Sequence, residues 1–250
     1  MICGKVRENE QIDLGKWTEH DLDMILQEAS RISENGKRID ILSRHFLEVK
    51  YRENTLAGSS ITPEVFVINL DALDCFTFLD YIESMRLSTS FADFKRNLVM
   101  VRYKSGKIDY INRNHFFSDW REFNKDTLQD ISLQIAGEKT MTIKKILNLK
   151  EDGTLYLPGL APVERTIDYI PASVIDEFII RKCKTGDYIG IYTDEPGLDV
   201  THVGIIIKNK GKIYLRHASS HPEYRQVIEQ DFLTYMVGKP GFFILRPRAK

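Results

Sequence analysis

The sequence predicts an α+β fold, and three observations support it. Apolar residues recur at helical spacing through the first part of the chain, four strand-like runs separated by turns fill the last quarter, and the two kinds of element segregate instead of alternating. With 250 residues, 42% hydrophobic and 28% charged, the chain can bury a large core and is no disordered, collagen-like or coiled-coil sequence. Its 35 Lys+Arg against 36 Asp+Glu leave a formal charge of −1, so no bulk field gathers nucleic acid or anionic lipid. The longest apolar stretches, such as Val65 to Leu70 and Val203 to Ile207, are strand-sized, which excludes stable membrane insertion. No repeat or Pro/Gly/Ser-rich linker divides the chain, so a single domain over residues 1–250 is expected, its helical N-terminal part covering about residues 1–60.

The elements follow in order. Thr18-Glu19-His20-Asp21 resembles a capping box, and Leu22, Ile25, Leu26 and Ala29 then predict a helix over about 19–33. Ile39, Leu42, Phe46 and Val49 predict a second over about 38–49, and Val65 to Ile68 a short strand. Leu73 to Met85 returns to helical spacing with Asp71 and Asp74 at its start, which puts Cys75 in a first helical turn. Apolar runs either side of Lys104-Ser105-Gly106-Lys107 predict a hairpin within Val99 to Ile111. The stretch to Ile170 reads as strand-rich, with a helical piece around Phe116 to Phe123, and Pro171 to Ile180 reads as a helix. Tyr188 to Tyr192, His202 to Ile207, Ile213 to His217 and Phe242 to Leu245 then predict a small antiparallel sheet.

Chemistry concentrates on one cysteine and two histidines. At a helix head, exposed N–H groups and the helix dipole favour a negative sulfur and can lower a thiol from ~8.5 toward neutrality. Cys75 fits that pattern, although a small buried residue packed between Leu73 and Phe76 is an equally simple role. If the strands holding His202 and His217 turn at Lys210-Gly211, residues whose numbers sum to about 421 face each other. His202 then lies opposite position 219, near His217, as a base and its orienter would, or as a pair of structural sheet histidines. His217 and His221 are spaced as helical metal ligands, but this segment leaves a strand and precedes Pro222, so neither a metal nor another cofactor is expected. Cys3, in a terminus expected to fray, and Cys183 lack an evident base and read as incidental.

These residues also carry a family resemblance. Asp74-Cys75-Phe76-Thr77-Phe78-Leu79-Asp80, Gly186-Asp187-Tyr188-Ile189, Gly197-Leu198-Asp199-Val200-Thr201-His202-Val203-Gly204 and Leu215-Arg216-His217-Ala218-Ser219-Ser220 resemble the NlpC-type cell-wall cysteine hydrolases, and within them the N-acetylmuramoyl-L-alanine amidase-like branch. The resemblance runs in order from about Phe46 to Pro247 and implies a papain-like core, with Cys75 the nucleophile, His202 the general base and His217 the third member. Tyr51 matches a tyrosine that lines the family's active site, where its hydroxyl would help the Cys75 N–H stabilise an oxyanion. Phe76-Thr77 departs from the Ser-Gly that commonly follows the superfamily cysteine, and an insertion of about residues 90–185 separates the cysteine helix from the histidine-bearing sheet. Arg113, Trp120 and Tyr169 fall in motif-like stretches of that insertion. Arg113 suits a carboxylate clamp and Trp120 a sugar platform, with core or surface roles equally open.

The resemblance implies hydrolysis of the amide between N-acetylmuramic acid and L-alanine in peptidoglycan fragments, anhydro-muropeptides among them. Rival readings are a stem-peptide endopeptidase cutting between D-Glu and diaminopimelate, a non-catalytic muropeptide-binding module, and acyl transfer to an amine or lipid. Muropeptides are the expected partners, no protein partner is evident, and such substrates place the chain in the periplasm or envelope. Met1 to Lys5 lacks an apolar signal core, which leaves a cytoplasmic location open.

Overall fold

The computed structural model describes residues 10–248; the expectations for Cys3 and the first residues lie outside them. In chain order the elements are β1 (Glu10–Asp13), α1 (Glu19–Ser30), α2 (Asn35–Arg44), β2 (Lys50–Tyr51), β3 (Phe66–Asn69), β4 (Ala72–Leu73), α3 (Cys75–Arg86), α4 (Phe91–Arg102), α5 (Phe117–Phe123), β5 (Leu128–Asp130) and α6 (Ser132–Ala136). There follow β6 (Met141–Leu147), β7 (Val163–Pro171), α7 (Glu177–Lys182), β8 (Tyr188–Tyr192), β9 (Val200–Asn209), β10 (Lys212–Ala218), β11 (Val227–Asp231), α8 (Phe232–Met236) and β12 (Gly241–Pro247).

The main sheet is antiparallel, in the order β11-β10-β9-β8-β12-β7-β6, with β5 joining the far end of β12. Two short parallel pairs, β1 with β3 and β2 with β4, tie the N-terminal part together. The β9–β10 register pairs Lys212 with Asn209 and Tyr214 with Ile207, matching the predicted sum, and the turn holds Lys210 and Gly211 both in the left-handed region.

Strand residues alternate between two buried faces. Tyr188, Val203, Ile205, Phe243 and Leu245 meet the helical layer of α1 to α5, while Ile189, Ile206, Leu215, Phe242 and Ile244 meet α6, α7 and α8. Burial of both faces explains why these strands read as nearly continuous apolar runs.

α3 lies at the centre of the helical layer and buries polar residues as well as apolar ones, each tied to a partner. Asp80 takes the Arg102 Nε–H at 2.9 Å and the Trp120 Nε1–H at 3.2 Å. Glu83 pairs with Arg86 at 2.6 Å and accepts the Tyr188 hydroxyl at 2.9 Å. Such satisfied polar groups are tolerated in a core, whereas removing one partner would strand a buried charge. A similar knot sits behind β10: buried Arg216 pairs with Asp40 of α2 at 2.9 Å and with Glu229 of β11, and donates to the Ser43 hydroxyl.

Two local expectations are corrected. The predicted hairpin around Lys104 to Lys107 is instead the end of α4 followed by two short 3-10 turns. Phe94, Leu98 and Val101 follow a helical period, and Phe94 packs on Tyr81 of α3 with ring centroids 6.1 Å apart; the β-branched pair Val99 and Val101 misled the pattern. Pro171 closes β7 instead of opening a helix; α7 begins at Glu177, where Asp176 accepts the Ile179 N–H at 2.9 Å.

Candidate active site

Asp74 caps α3 and so fixes the position of Cys75. One carboxylate oxygen accepts the N–H groups of Phe76 at 3.0 Å and Thr77 at 2.8 Å, and the Thr77 hydroxyl accepts the Asp74 N–H at 3.0 Å. The cap therefore occupies the second and third N–H groups of the helix and leaves that of Cys75 outside it. Cys75 lines a cavity of about 320 Å³ together with Phe76, Phe117, Leu157, Asp199 and His202.

His202 lies on β9 and His217 on β10, and their rings meet edge to face with His202 Nε2 2.7 Å from His217 Nδ1. On its other side His217 Nε2 lies 2.8 Å from Gln230 Oε1 on β11. With the amide oxygen toward the ring, Gln230 can only accept, so His217 carries its proton on Nε2 and presents a lone pair at Nδ1. His202 then donates from Nε2 and keeps an unprotonated Nδ1. Gly204 permits this approach of strands: a Cβ there would lie 2.6 Å from Leu215 Cδ1 and 3.1 Å from His217 Cβ. Tyr235 of α8 packs on both rings, with centroids 6.0 Å from His202 and 5.2 Å from His217.

Electrostatics at the site oppose the sequence expectation for the thiol. Burial, and next the Asp74 carboxylate, push Cys75 up to about 12, although the N–H groups of Val203, Cys75 and Phe76 favour a charged sulfur. Burial outweighs those N–H groups, and the acidic helix cap adds to it. Burial holds His202 down to about 3, with the neighbouring His217 and Lys239 acting in the same direction, and holds His217 down to about 4. Burial therefore disfavours the charged form of all three groups.

The other sequence candidates are placed as follows. Tyr51, on β2 and paired with Leu73 two residues before Cys75, lies under the Arg225 guanidinium, 4.8 Å from its ring centroid; burial, and next the nearby Cys75, push its hydroxyl up to about 12. Arg113 is occupied by Glu64, with Nε to Oε1 at 2.7 Å and Nη2 to Oε2 at 2.6 Å, and holds the Ala57 carbonyl at 2.8 Å. Trp120 is 0% exposed, stacked on Phe117 and edge-on to Tyr188, so it offers no open face to a sugar. Tyr169 stacks on Tyr192 at 3.8 Å between centroids and does not line the Cys75 cavity. Cys183 is buried, its thiol donating to the Ile179 carbonyl at 3.4 Å. Gln230 and Tyr235 were not found from the sequence; both sit in a stretch whose only signal is pairing with β10 or packing against it.

A second cavity, of about 710 Å³ and mostly polar, opens on the far side of the histidine pair. Thr201 and His202 line both cavities, and Gln230, Tyr235 and exposed Lys239 border this one. Among the described residues no helix is long and apolar enough to cross a membrane.

A cysteine at a helix head and a histidine on an antiparallel sheet, lining one cavity, define this α+β class of protein. Within that class the chain belongs to the N-acetylmuramoyl-L-alanine amidase-like family, whose model matches residues 41–242. An N-acetylmuramoyl-L-alanine amidase from Bacteroides uniformis is similar over 86% of this chain and 99% of its own, at 26% identity and a TM-score of 0.70. A Legionella pneumophila protein shares the fold over 92% and 94% of the two chains, at 23% identity and a TM-score of 0.77. A Bacteroides fragilis structure provisionally called a xylanase is similar at 28% identity and a TM-score of 0.64, over 82% and 98%. No curated protein matches the chain.

Proposed function

We propose that the protein is a cysteine amidase of papain-like type that cleaves the N-acetylmuramoyl-L-alanine bond of peptidoglycan fragments, anhydro-muropeptides among them. The observation that carries this reading is that His202, linked through His217 to Gln230, shares a cavity with Cys75. Its substrates lie in the cell envelope, which places the enzyme's work outside the cytoplasm.

Cys75 Sγ attacks the lactyl carbonyl carbon while its proton passes to His202 Nδ1. The carbonyl electron pair moves to oxygen, where the Cys75 N–H left outside the cap and the Tyr51 hydroxyl are the available donors. His202, now an imidazolium, is steadied through Nε2–H on His217 Nδ1. Collapse breaks the C–N bond, the Nδ1 proton goes to the departing L-alanine nitrogen, and a thioester remains. Water then gives its proton to His202 Nδ1 and attacks the thioester; the C–S bond breaks and the sulfur regains the proton.

A glycosidase site would require two facing carboxylates. The Cys75 cavity contains one, Asp199, whose oxygens accept the Ser118 and Val200 N–H groups at 2.6 and 2.8 Å. Mass spectrometry of muropeptides incubated with wild-type and Cys75→Ala protein tests the proposal. The expected result is Cys75-dependent release of peptides beginning with L-alanine. Cuts within the stem peptide would replace the specificity, and turnover by Cys75→Ala would exclude the mechanism.

A further inference from the structure

A smaller cavity of about 160 Å³ adjoins the one that holds Cys75, and Phe76 and His115 line both. Two of its lining residues carry buried polar atoms that have no hydrogen-bond partner among the described residues: Arg102 Nη2, a donor, and Asn114 Oδ1, an acceptor. Both residues are nearly inaccessible, at 2% and 4% exposure. Their remaining polar atoms are engaged. Arg102 Nε donates to Asp80 at 2.9 Å and Nη1 to the Val67 carbonyl at 2.6 Å, while Asn114 Nδ2 donates to the Val101 carbonyl at 2.9 Å.

An orphaned buried donor or acceptor is costly, so an orphan of each kind on residues lining one cavity marks a place completed by something else. The charges there define its chemistry. Asp80 neutralises Arg102 and Glu64 neutralises Arg113, while the Asp74 carboxylate also lies on the wall. An anion would face Asp74 with no free cation, so the fitting group is neutral. It must offer one acceptor and one donor, and a small apolar end for Leu56 and Phe76. One water, with a share of ~30 Å³, would leave most of the space empty. A methyl-bearing secondary amide meets every condition.

We propose that this cavity is the subsite for the acetamido group of an N-acetylated amino sugar, its carbonyl accepting from Arg102 Nη2 and its N–H donating to Asn114 Oδ1. The inference rests on the amidase reading and deepens it. In a muramoyl substrate the acetamido group sits on the ring carbon beside the one bearing the lactyl ether. Only a few bonds separate it from the carbonyl that Cys75 attacks, in keeping with neighbouring cavities divided by Phe76.

The test compares kcat/KM of the wild-type protein for an N-acetylmuramoyl-L-alanyl peptide and for the same compound with a free 2-amine. Loss of the carbonyl that accepts from Arg102 and of the buried methyl predicts a preference for the acetylated form of ~10–100-fold. Leu56→Phe, which fills the cavity from its half-buried wall, is expected to bring the two rates together through loss on the acetylated substrate alone. Equal rates in the wild type overturn the proposal and leave ordered waters as the occupant; a ratio that survives Leu56→Phe overturns it too. If neither compound is cleaved, the amidase reading has failed, and calorimetry of both with Cys75→Ala protein decides the subsite independently. Tighter binding of the acetylated form by the same factor upholds it, and equal or undetectable binding of the two refutes it.

Discussion

Replacing Gln230 with Leu removes the hydrogen-bond partner of His217 Nε2 among the described residues and makes the proposed proton chain measurable. His217 is 1% exposed, so water has little access to the abandoned N–H. The lost bond, 2.8 Å long between neutral groups, is worth ~0.5–1.5 kcal/mol at rest and ~1.5–3 kcal/mol once His202 is protonated and the chain becomes charge-assisted. His217 is then free to move its proton to Nδ1 and donate to His202, which forces the His202 proton onto Nδ1, the atom that must receive the thiol proton. At ~1.4 kcal/mol per decade, kcat is expected to fall by ~10–100-fold. KM should change little, because Gln230 acts through two rings. Gln230→Glu, which keeps an acceptor, should recover most of kcat and raise the acidic limb of the pH profile. Nitrogen NMR of the histidine rings should find His217 protonated at Nε2 in the wild type and at Nδ1 in Gln230→Leu. Undiminished kcat in Gln230→Leu, or an Nδ1 proton on His217 in the wild type, would refute the reasoning.

Asp74→Asn keeps a helix cap but removes the charge beside the thiol; the pH midpoint for alkylation of Cys75 by iodoacetamide should fall, with stability changed by less than ~1 kcal/mol, and an unmoved midpoint would show that the carboxylate does not govern the thiol. His202 and His217, held near 3 and 4 against ~6.5 in an unfolded chain, withdraw stability as pH falls below ~6.5, since the unfolded state then binds protons that the native rings refuse. Buried Asp80, lifted to about 6, works in the opposite direction, so ring NMR is the direct readout, and a midpoint above pH 6 for either histidine would contradict the burial argument. Gly204→Ala should cost ~1–3 kcal/mol in urea unfolding and lower kcat as well, because its Cβ displaces β10 at His217; normal stability and rate together would show that the strands have room to spare.

Much of the site was legible because its parts lie on locally encoded elements. The Asp74 cap and following apolar period place Cys75, and the Lys210-Gly211 turn sets the register that joins His202 to His217. What escaped depends on partners distant in the chain. Arg113 finds Glu64 and Trp120 finds Asp80, and nothing near either residue announces those choices. Gln230 is a polar residue on an edge strand, where alternation does not distinguish a functional side chain from a solvated one. The burial that disfavours a charged Cys75 sulfur likewise depends on tertiary packing, and only the second influence, the Asp74 carboxylate, is visible in the local sequence.

Arg216 couples the two halves of the molecule. Its fully enclosed guanidinium draws neutrality from α2 on one side and β11 on the other, one residue before His217. Should the N-terminal helices undock, that cation would lose Asp40 and the Ser43 hydroxyl at once and be left buried with one carboxylate, a state costly enough to drag β10 out of place. Assembly of the histidine pair is thereby tied to docking of a helix far earlier in the chain. A newly made or half-unfolded copy then carries Cys75, His202 and His217 without the arrangement that the proposed mechanism requires, so the proposed activity would appear only with the completed fold.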